Sequence, residues 1–243
     1  MKIVVTGGCG FIGVNLIEKL LTYGHGIRVL DDLSVGTLDA LKSICSLRLL
    51  DKRGSYPSPQ TGEVQVVVGD IRDRGLVSNT ACDMDAVVHL AAQCGVIPSL
   101  DDPYFDFEVN VGGTLNLLMA SVEHKVSKFI FASSSAPLGE QEPPVHEMKV
   151  PRPLSPYGAS KLAGEAYCSA FYASFGINGI ALRFSNVYGP RSTHKGSVVA
   201  LFFKRALENL PLIIYGNGNQ TRDFIYIDAV SYTHLTLPTK RIV

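Results

Sequence analysis

Apolar residues in this chain fall into short unbroken runs, and the longer stretches between them carry apolar residues at helical spacing. The runs at 2–6, 27–31, 64–68, 86–90, 128–132 and 179–184 are rich in Val, Ile and Phe, which predicts strands buried on both faces. Stretches 11–23, 108–124 and 156–175 repeat apolar residues with the helical period, which predicts helices. Strand and helix in alternation imply right-handed βαβ units. The expected fold is therefore α/β, a doubly wound parallel sheet with helices on both faces. In such a sheet ligands bind beyond the carboxyl ends of the strands.

Two stretches break the pattern. Gly36 to Gly62, with Pro57 and Pro59, reads as a variable insertion, and the chain changes character after Asn186. Residues 1–185 are expected to form the main domain and 186–229 the start of a smaller, truncated one. Val230 to Val243, VSYTHLTLPTKRIV, follows abruptly on TRDFIYIDA. It resembles the conceptual translation of a transposon-end sequencing adaptor, and is expected to be a non-native tail on a truncated reading frame.

Composition narrows the function. The 243 residues carry 22 basic and 22 acidic side chains, so no net charge draws the chain to nucleic acid or anionic lipid. The first apolar run stops at Gly7 and Gly8 and reads as neither signal peptide nor membrane span. No nucleic-acid or membrane partner is expected. Cys9, Cys45, Cys82, Cys94 and Cys168 are scattered without a C-x-x-C pair, which suits reduced thiols in the cytoplasm better than disulfides or a metal site.

The first strand runs into Thr6-Gly7-Gly8-Cys9-Gly10-Phe11-Ile12-Gly13. Gly7, Gly10 and Gly13 satisfy G-x-x-G-x-x-G, and Gly8, Gly10 and Gly13 satisfy G-x-G-x-x-G. Glycine is needed there for a tight turn, for approach of backbone to a pyrophosphate, and for close packing of helix on strand. The following helix N-terminus favours phosphate. Asp31 ends the second strand, where a carboxylate accepts both ribose hydroxyls of an adenosine and repels a 2′-phosphate. With Asp31-Asp32-Leu33-Ser34 offering no cation, NAD is expected over NADP in a Rossmann-like fold. Gly69-Asp70-Ile71 ends a further strand and is placed to meet the adenine, while the small residues of His89-Leu90-Ala91-Ala92 let backbone pass close to a cofactor. His89 itself is read as a satisfied core residue.

The long helix opens on Ser155-Pro156-Tyr157-Gly158-Ala159-Ser160-Lys161, with Ser155 as cap. Tyr157 and Lys161, at i and i+4, share one face. An adjacent ammonium and a cationic nicotinamide favour phenolate, which would make Tyr157 a general base. Upstream, Ser133-Ser134-Ser135 ends a strand and can supply a hydroxyl that relays a substrate proton.

TGGCGFIG, DDLSVG, GDIRD, HLAAQ, NVGGTLNLL, SSSA, SPYGASKLAGE, RFSNVYGPR and TRDFIYIDA follow in this order between Lys2 and Ala229. In this set the chain resembles the extended short-chain dehydrogenase/reductases, in particular the NAD-dependent nucleotide-sugar epimerase/dehydratase family, with the UDP-glucose 4-epimerases nearest. The resemblance implies NAD contacts from Gly7, Gly10, Phe11, Ile12, Gly13, Asp31, Asp32, Asp70, Ile71, Leu90, Ala91, Ala92, Asn110, Tyr157 and Lys161. It implies chemistry by Ser135, Tyr157 and Lys161, and substrate binding by Ser135, Asn186 and Arg222, the last two holding a UDP diphosphate. The implied activity is 4-epimerisation of UDP-glucose or UDP-N-acetylglucosamine through a transient 4-keto sugar, in a homodimeric full-length parent. A 4,6-dehydratase would carry an Asp-Glu pair where this chain has Ala136-Pro137. A UDP-glucuronate epimerase or decarboxylase is the alternative suggested by HLAAQCGV, although Ile97 stands where those enzymes often have arginine; an inactive NAD-binding fragment is another. The chain departs from the family pattern at Ala136-Pro137-Leu138, where Val-Tyr usually precedes the glycine, and at Ser185, where an aromatic is common.

Overall fold

In a computed structural model, residues 1–192 and 196–236 are described, with side chains to 231. The strands are β1 (Lys2–Thr6), β2 (Gly26–Asp31), β3 (Leu47–Leu50), β4 (Val64–Val68), β5 (Ala86–His89), β6 (Lys128–Ser134) and β7 (Asn178–Phe184). They form one sheet in the order β3-β4-β2-β1-β5-β6-β7, parallel throughout. Alternate residues of each strand feed two cores. Val4, Leu30, Val67, Val87, Phe129 and Phe131 pack on one face with helices α3 (Arg74–Ala81), α6 (Gly113–Glu123) and α7 (Pro156–Phe175). Val5, Val29, Val66, Val88 and Ile130 pack on the other, with α1 (Phe11–Thr22) and α2 (Leu38–Lys42). The predicted doubly wound, Rossmann-like sheet is what the chain forms.

The 36–62 stretch, read as a variable insertion, carries regular structure of its own. It holds α2 and β3, and β3 pairs with β4 as the edge of the sheet. Leu49 is exposed there, so the strand lacks the buried run by which the others announce themselves. Helix 108–124 also differs from expectation. Two short helices, α4 (Val96–Asp101) and α5 (Pro103–Phe107), precede a π turn at Glu108–Gly112 that leads into α6. A π turn inside a helix often marks a functional site.

The strand order reverses between β1 and β5, which are neighbours in register Thr6↔His89. The loops that leave these two strands therefore flank one crevice at the carboxyl edge, the place where such sheets bind ligands. Beyond β7, β8 (Asn186–Tyr188) pairs in parallel with β9 (Phe224–Tyr226) in a separate two-stranded sheet. Helix α8 (Val198–Leu207) lies between them in sequence and buries no residue completely. Helix α9 (Ile227–Thr236) crosses the Val230 boundary, and Val230 is buried beside Phe11, Val187 and Ile227. Ser231 Oγ is the one buried side-chain polar atom among the described residues without a hydrogen-bond partner. Residues 237–243 of the expected tail lie outside the described residues.

Candidate active site

The glycines of the first loop do different jobs. Gly7 adopts φ +69°, and a Cβ on it would meet Ala91 N at 2.7 Å, so the β1 and β5 loops touch at this residue. A Cβ on Gly13 would run into Gly7 O and lie 2.5 Å from Gly8 Cα; helix α1 reaches the loop only because that atom is absent. Gly10 is another case. Its backbone is extended, at φ −78° and ψ 175°, and a Cβ there would have Gly7 O at 3.3 Å as its one close neighbour. The protein itself does not demand glycine at 10, whereas a pyrophosphate laid on the helix N-terminus does.

Asp31, 6% exposed, stands beside this loop. Its Oδ2 accepts from Cys9 N at 2.9 Å and its Oδ1 from Leu33 N at 2.9 Å. Burial pushes its pKa up, against the pull of these two amides. Each oxygen keeps a further lone pair, so the carboxylate can still accept two ribose hydroxyls. Asp32 caps its own turn, accepting from Ser34 N at 3.0 Å. Asp70 is held by Arg72 through Nη2 at 2.7 Å, which draws its pKa down. Ile71 has its side chain buried against Gly113, leaving backbone for the crevice.

His89 is a spacer with a fixed tautomer. Thr114 Oγ1 donates to Asn110 O at 2.6 Å and must therefore accept from His89 Nε2 at 3.0 Å. Nδ1 then accepts from Thr6 Oγ1 at 2.7 Å, while that oxygen accepts from Ala91 N. Full burial lowers the imidazole pKa to about 3. This chain of bonds sets the position of Ala91 beside Gly7.

The chemistry-bearing helix sits close against β6 because Gly164 leaves room for the Phe131 ring. Ser155 caps α7 by accepting from Gly158 N at 3.1 Å. Lys161, 3% exposed, donates from Nζ to Ala132 O at 2.9 Å and lies 4.9 Å from the Phe131 centroid and 5.9 Å from that of Tyr157. Burial lowers its pKa. Tyr157 is half-buried, and its phenol is pushed up, first by burial and then by Cys94 and Asp106, with the Ser134 side chain pulling the other way. A cation bound beside the ring remains the means of reaching phenolate.

The three serines at the end of β6 differ in their partners. Ser134 Oγ accepts from Ala136 N at 3.2 Å. At Ser135 the chain has left the strand; φ −71° and ψ −17° open the 3₁₀ turn 136–138, and its N–H donates to Phe184 O. Ser133 is committed elsewhere, donating at 2.5 Å to Glu165, which Arg183 grips through two nitrogens. Asn110, 2% exposed, uses its amide within the protein: Oδ1 accepts from Gln93 N at 2.9 Å and Nδ2 donates to Gln93 O at 3.0 Å. It supports the crevice through the 90–94 loop rather than by facing it. Asn186 donates from Nδ2 to Asp223 O at 3.0 Å, so the β8–β9 pairing brings it next to the Arg222 segment. Arg222 is exposed, with Nη1 on Thr221 O.

Sequence reasoning missed Gln93 and Asp106. The i, i+4 pair Asp106 and Asn110 was the available signal for the last.

Comparison with known proteins agrees with this geometry. The NAD dependent epimerase/dehydratase family profile matches residues 3–241. The UDP-glucose 4-epimerase of Mycolicibacterium smegmatis is 36% identical over 235 residues, 95% of this chain and 71% of that protein. Among solved structures, UDP-glucose 4-epimerase with UDP-glucose from Thermotoga maritima superposes with a TM-score of 0.85 at 33% identity, covering 97% of this chain and 72% of that one. The Thermus thermophilus UDP-glucose 4-epimerase complex with NAD gives 0.85 at 36%, covering 99% and 75%. No helix among the described residues is long and apolar enough to cross a membrane. A switch-point crevice lined by a glycine loop, Asp31 and a Tyr-Lys helix, matched over nearly the whole chain, is the mark of an enzyme lineage that works on NAD: the chain belongs to the NAD-dependent epimerase/dehydratase family.

Proposed function

We propose that this chain carries the cofactor domain, 1–185, and the beginning of the sugar-binding domain, 186–229, of a cytoplasmic nucleotide-sugar 4-epimerase acting on UDP-glucose or UDP-N-acetylglucosamine. The observation that carries the reading is the placement of Tyr157 and Lys161 one turn apart on α7, with Lys161 Nζ 5.9 Å from the Tyr157 ring and bonded to Ala132 O of β6. NAD, when bound, supplies reversible hydride acceptance at sugar C4. Tyr157 Oη takes the proton of the sugar 4-hydroxyl and gives it back, directly or through Ser135 Oγ. Lys161 supplies the fixed positive charge that phenolate needs. Asp31, through its two unspent lone pairs, and the open space over Gly10 suit an adenosine and a pyrophosphate. Asn186, at the start of β8, and Arg222, two residues before β9, suit the sugar nucleotide's diphosphate, with the guanidinium fork as the stronger partner.

Epimerisation is favoured over dehydration by the 136–138 turn. Ala136, Pro137 and Leu138 offer no carboxylate near Ser134, so nothing there can remove a C5 proton and protonate a leaving 6-hydroxyl. The five cysteines are all free thiols, which supports the cytoplasmic assignment. The test is incubation of the intact protein and NAD with UDP-glucose, UDP-N-acetylglucosamine and UDP-glucuronate, with products resolved by mass and NMR. A 4-epimer of unchanged mass from either of the first two supports the proposal. Loss of water, loss of carbon dioxide, or turnover of the glucuronate alone overturns it.

A further inference from the structure

Support for β6 changes along its length. Its ladder to β5 ends at His89↔Phe131, whereas its ladder to β7 runs on to Ser134↔Phe184. Past Phe131 the strand is therefore paired on one side only, and this is the stretch that leads into Ser135. Helix α7 makes up the difference. Tyr157, Lys161 and Glu165 follow at intervals of four and share one face of that helix. Lys161 Nζ donates to Ala132 O at 2.9 Å, and one turn later Glu165 Oε1 accepts from Ser133 Oγ at 2.5 Å. Successive turns of α7 thus hold successive residues of β6. Glu165 reaches β7 as well: Arg183 donates from Nε to Oε1 at 2.8 Å and from Nη2 to Oε2 at 2.6 Å. Ser133 and Arg183 are partners across the β6–β7 ladder, so one carboxylate joins β6, β7 and α7.

We propose that Glu165, together with Ser133 and Arg183, positions the reacting groups: the cluster docks the end of β6 on the face of α7 that carries Tyr157 and Lys161, and so sets where Ser135 stands relative to Tyr157. This rests on the reading of Tyr157 and Ser135 as the groups that pass the sugar proton. The Glu165 side chain is 11% exposed, so its charge is largely out of water and needs partners. The two bonds from Arg183 supply the charge and the fork that a carboxylate fits best, and they join α7 to β7 alone. The bond from Ser133, a residue 5% exposed, is the one that brings β6 into the cluster. It lies two residues before Ser135 and just past the last β5 pair, where a small displacement of the strand passes directly to the serine. Misplacement of a reacting group by about 1 Å can cost a hundredfold in rate.

Ser133→Ala removes the bond to β6 and leaves the Glu165–Arg183 pair in place. In the intact protein with NAD, kcat should fall about tenfold, with KM for the sugar nucleotide and NAD affinity within about twofold of the parent. Ser133→Thr, which restores the hydroxyl, should recover most of the rate. A kcat within about twofold of the parent in Ser133→Ala, or a loss that Ser133→Thr does not repair, would overturn the proposal. So would a loss of kcat matched by an equal loss of NAD affinity, which is the mark of general damage to the fold. A second readout needs no substrate. Ser135 N–H donates to Phe184 O at 3.1 Å, and its hydrogen exchange should quicken at least about tenfold in Ser133→Ala. Phe129 and Ile130, paired on both sides, should keep the parent's protection. Unchanged exchange at Ser135 would overturn the proposal whatever the rate. Should the parent epimerise no nucleotide sugar, the functional reading falls while the exchange still decides whether the cluster holds the end of β6. If Ser133→Ala does not fold, Ser133→Cys, which offers a weaker donor, carries both measurements with the same expectations.

Discussion

Alanine placed at Gly10 and at Gly13 should separate ligand space from packing space within one loop. At Gly10 the backbone is already extended, and the added Cβ meets Gly7 O at 3.3 Å, an approach that a few tenths of an ångström relieves. Restricting the unfolded chain at this position contributes about 0.4–1 kcal/mol. Replacing glycine by alanine at an N-cap subtracts roughly 0.5–1 kcal/mol. Gly10→Ala should therefore keep the parent's stability to within about 1 kcal/mol. At Gly13 the Cβ collides with Gly7 O and lies 2.5 and 2.7 Å from Gly8 Cα and C, all backbone atoms that cannot swing aside. Overpacking of this kind costs about 1–3 kcal/mol. At about 2–4 °C per kcal/mol for a chain of this size, Tm should fall by roughly 2–12 °C. Affinity should order the pair differently. The Gly10 methyl occupies the space assigned to the pyrophosphate, so NAD binding should weaken at least about tenfold, or 1.4 kcal/mol. Thermal unfolding and titration calorimetry with NAD read both quantities. Parental NAD affinity in Gly10→Ala would refute the phosphate cradle, and equal loss of Tm in the two variants would refute the packing argument.

Asp31 should make the protein bind NAD at least about tenfold more tightly than NADP, because a 2′-phosphate would meet a buried carboxylate; equal affinities by calorimetry would remove Asp31 from the site. Tyr157→Phe should retain NAD binding and lose about two to four decades of turnover, and near-parental rates would place the proton elsewhere. His89 should make the fold acid-sensitive. Its folded pKa of about 3 lies below the unfolded value of 6.5, so its contribution is full above pH 6.5 and is lost as pH falls toward 3. The slope for one such group is about 1.4 kcal/mol per pH unit. Urea unfolding between pH 7 and 4.5 should show that slope reduced in His89→Gln, and identical slopes would contradict the assignment.

The sheet was legible because five of its seven strands are buried almost throughout and so appear as apolar runs, while β7, an edge strand fully buried only at Leu182, still carries Ile180, Ala181, Leu182 and Phe184. β3 escaped because an edge strand with Leu49 in solvent has no such signature. The glycine loop and Asp31 were legible for a related reason, since each is required by a local backbone geometry that spacing reveals. The division of labour among the serines was not, since three in a row are equivalent in sequence until Ser133 is seen bonded to Glu165 and Ser135 opening the 136–138 turn. Likewise, i, i+4 spacing places Lys161 near Tyr157 without revealing the Ala132 carbonyl to which Nζ donates.

The central claim is that Tyr157 and its neighbours support removal and return of one hydride at sugar C4. UDP-glucose carrying deuterium at C4, incubated with the intact protein and NAD in ordinary water, tests it most directly. The account predicts UDP-galactose with the deuterium retained at C4, and far slower formation of it by Tyr157→Phe. Washout of the label into solvent, or a product of altered mass, would contradict the account.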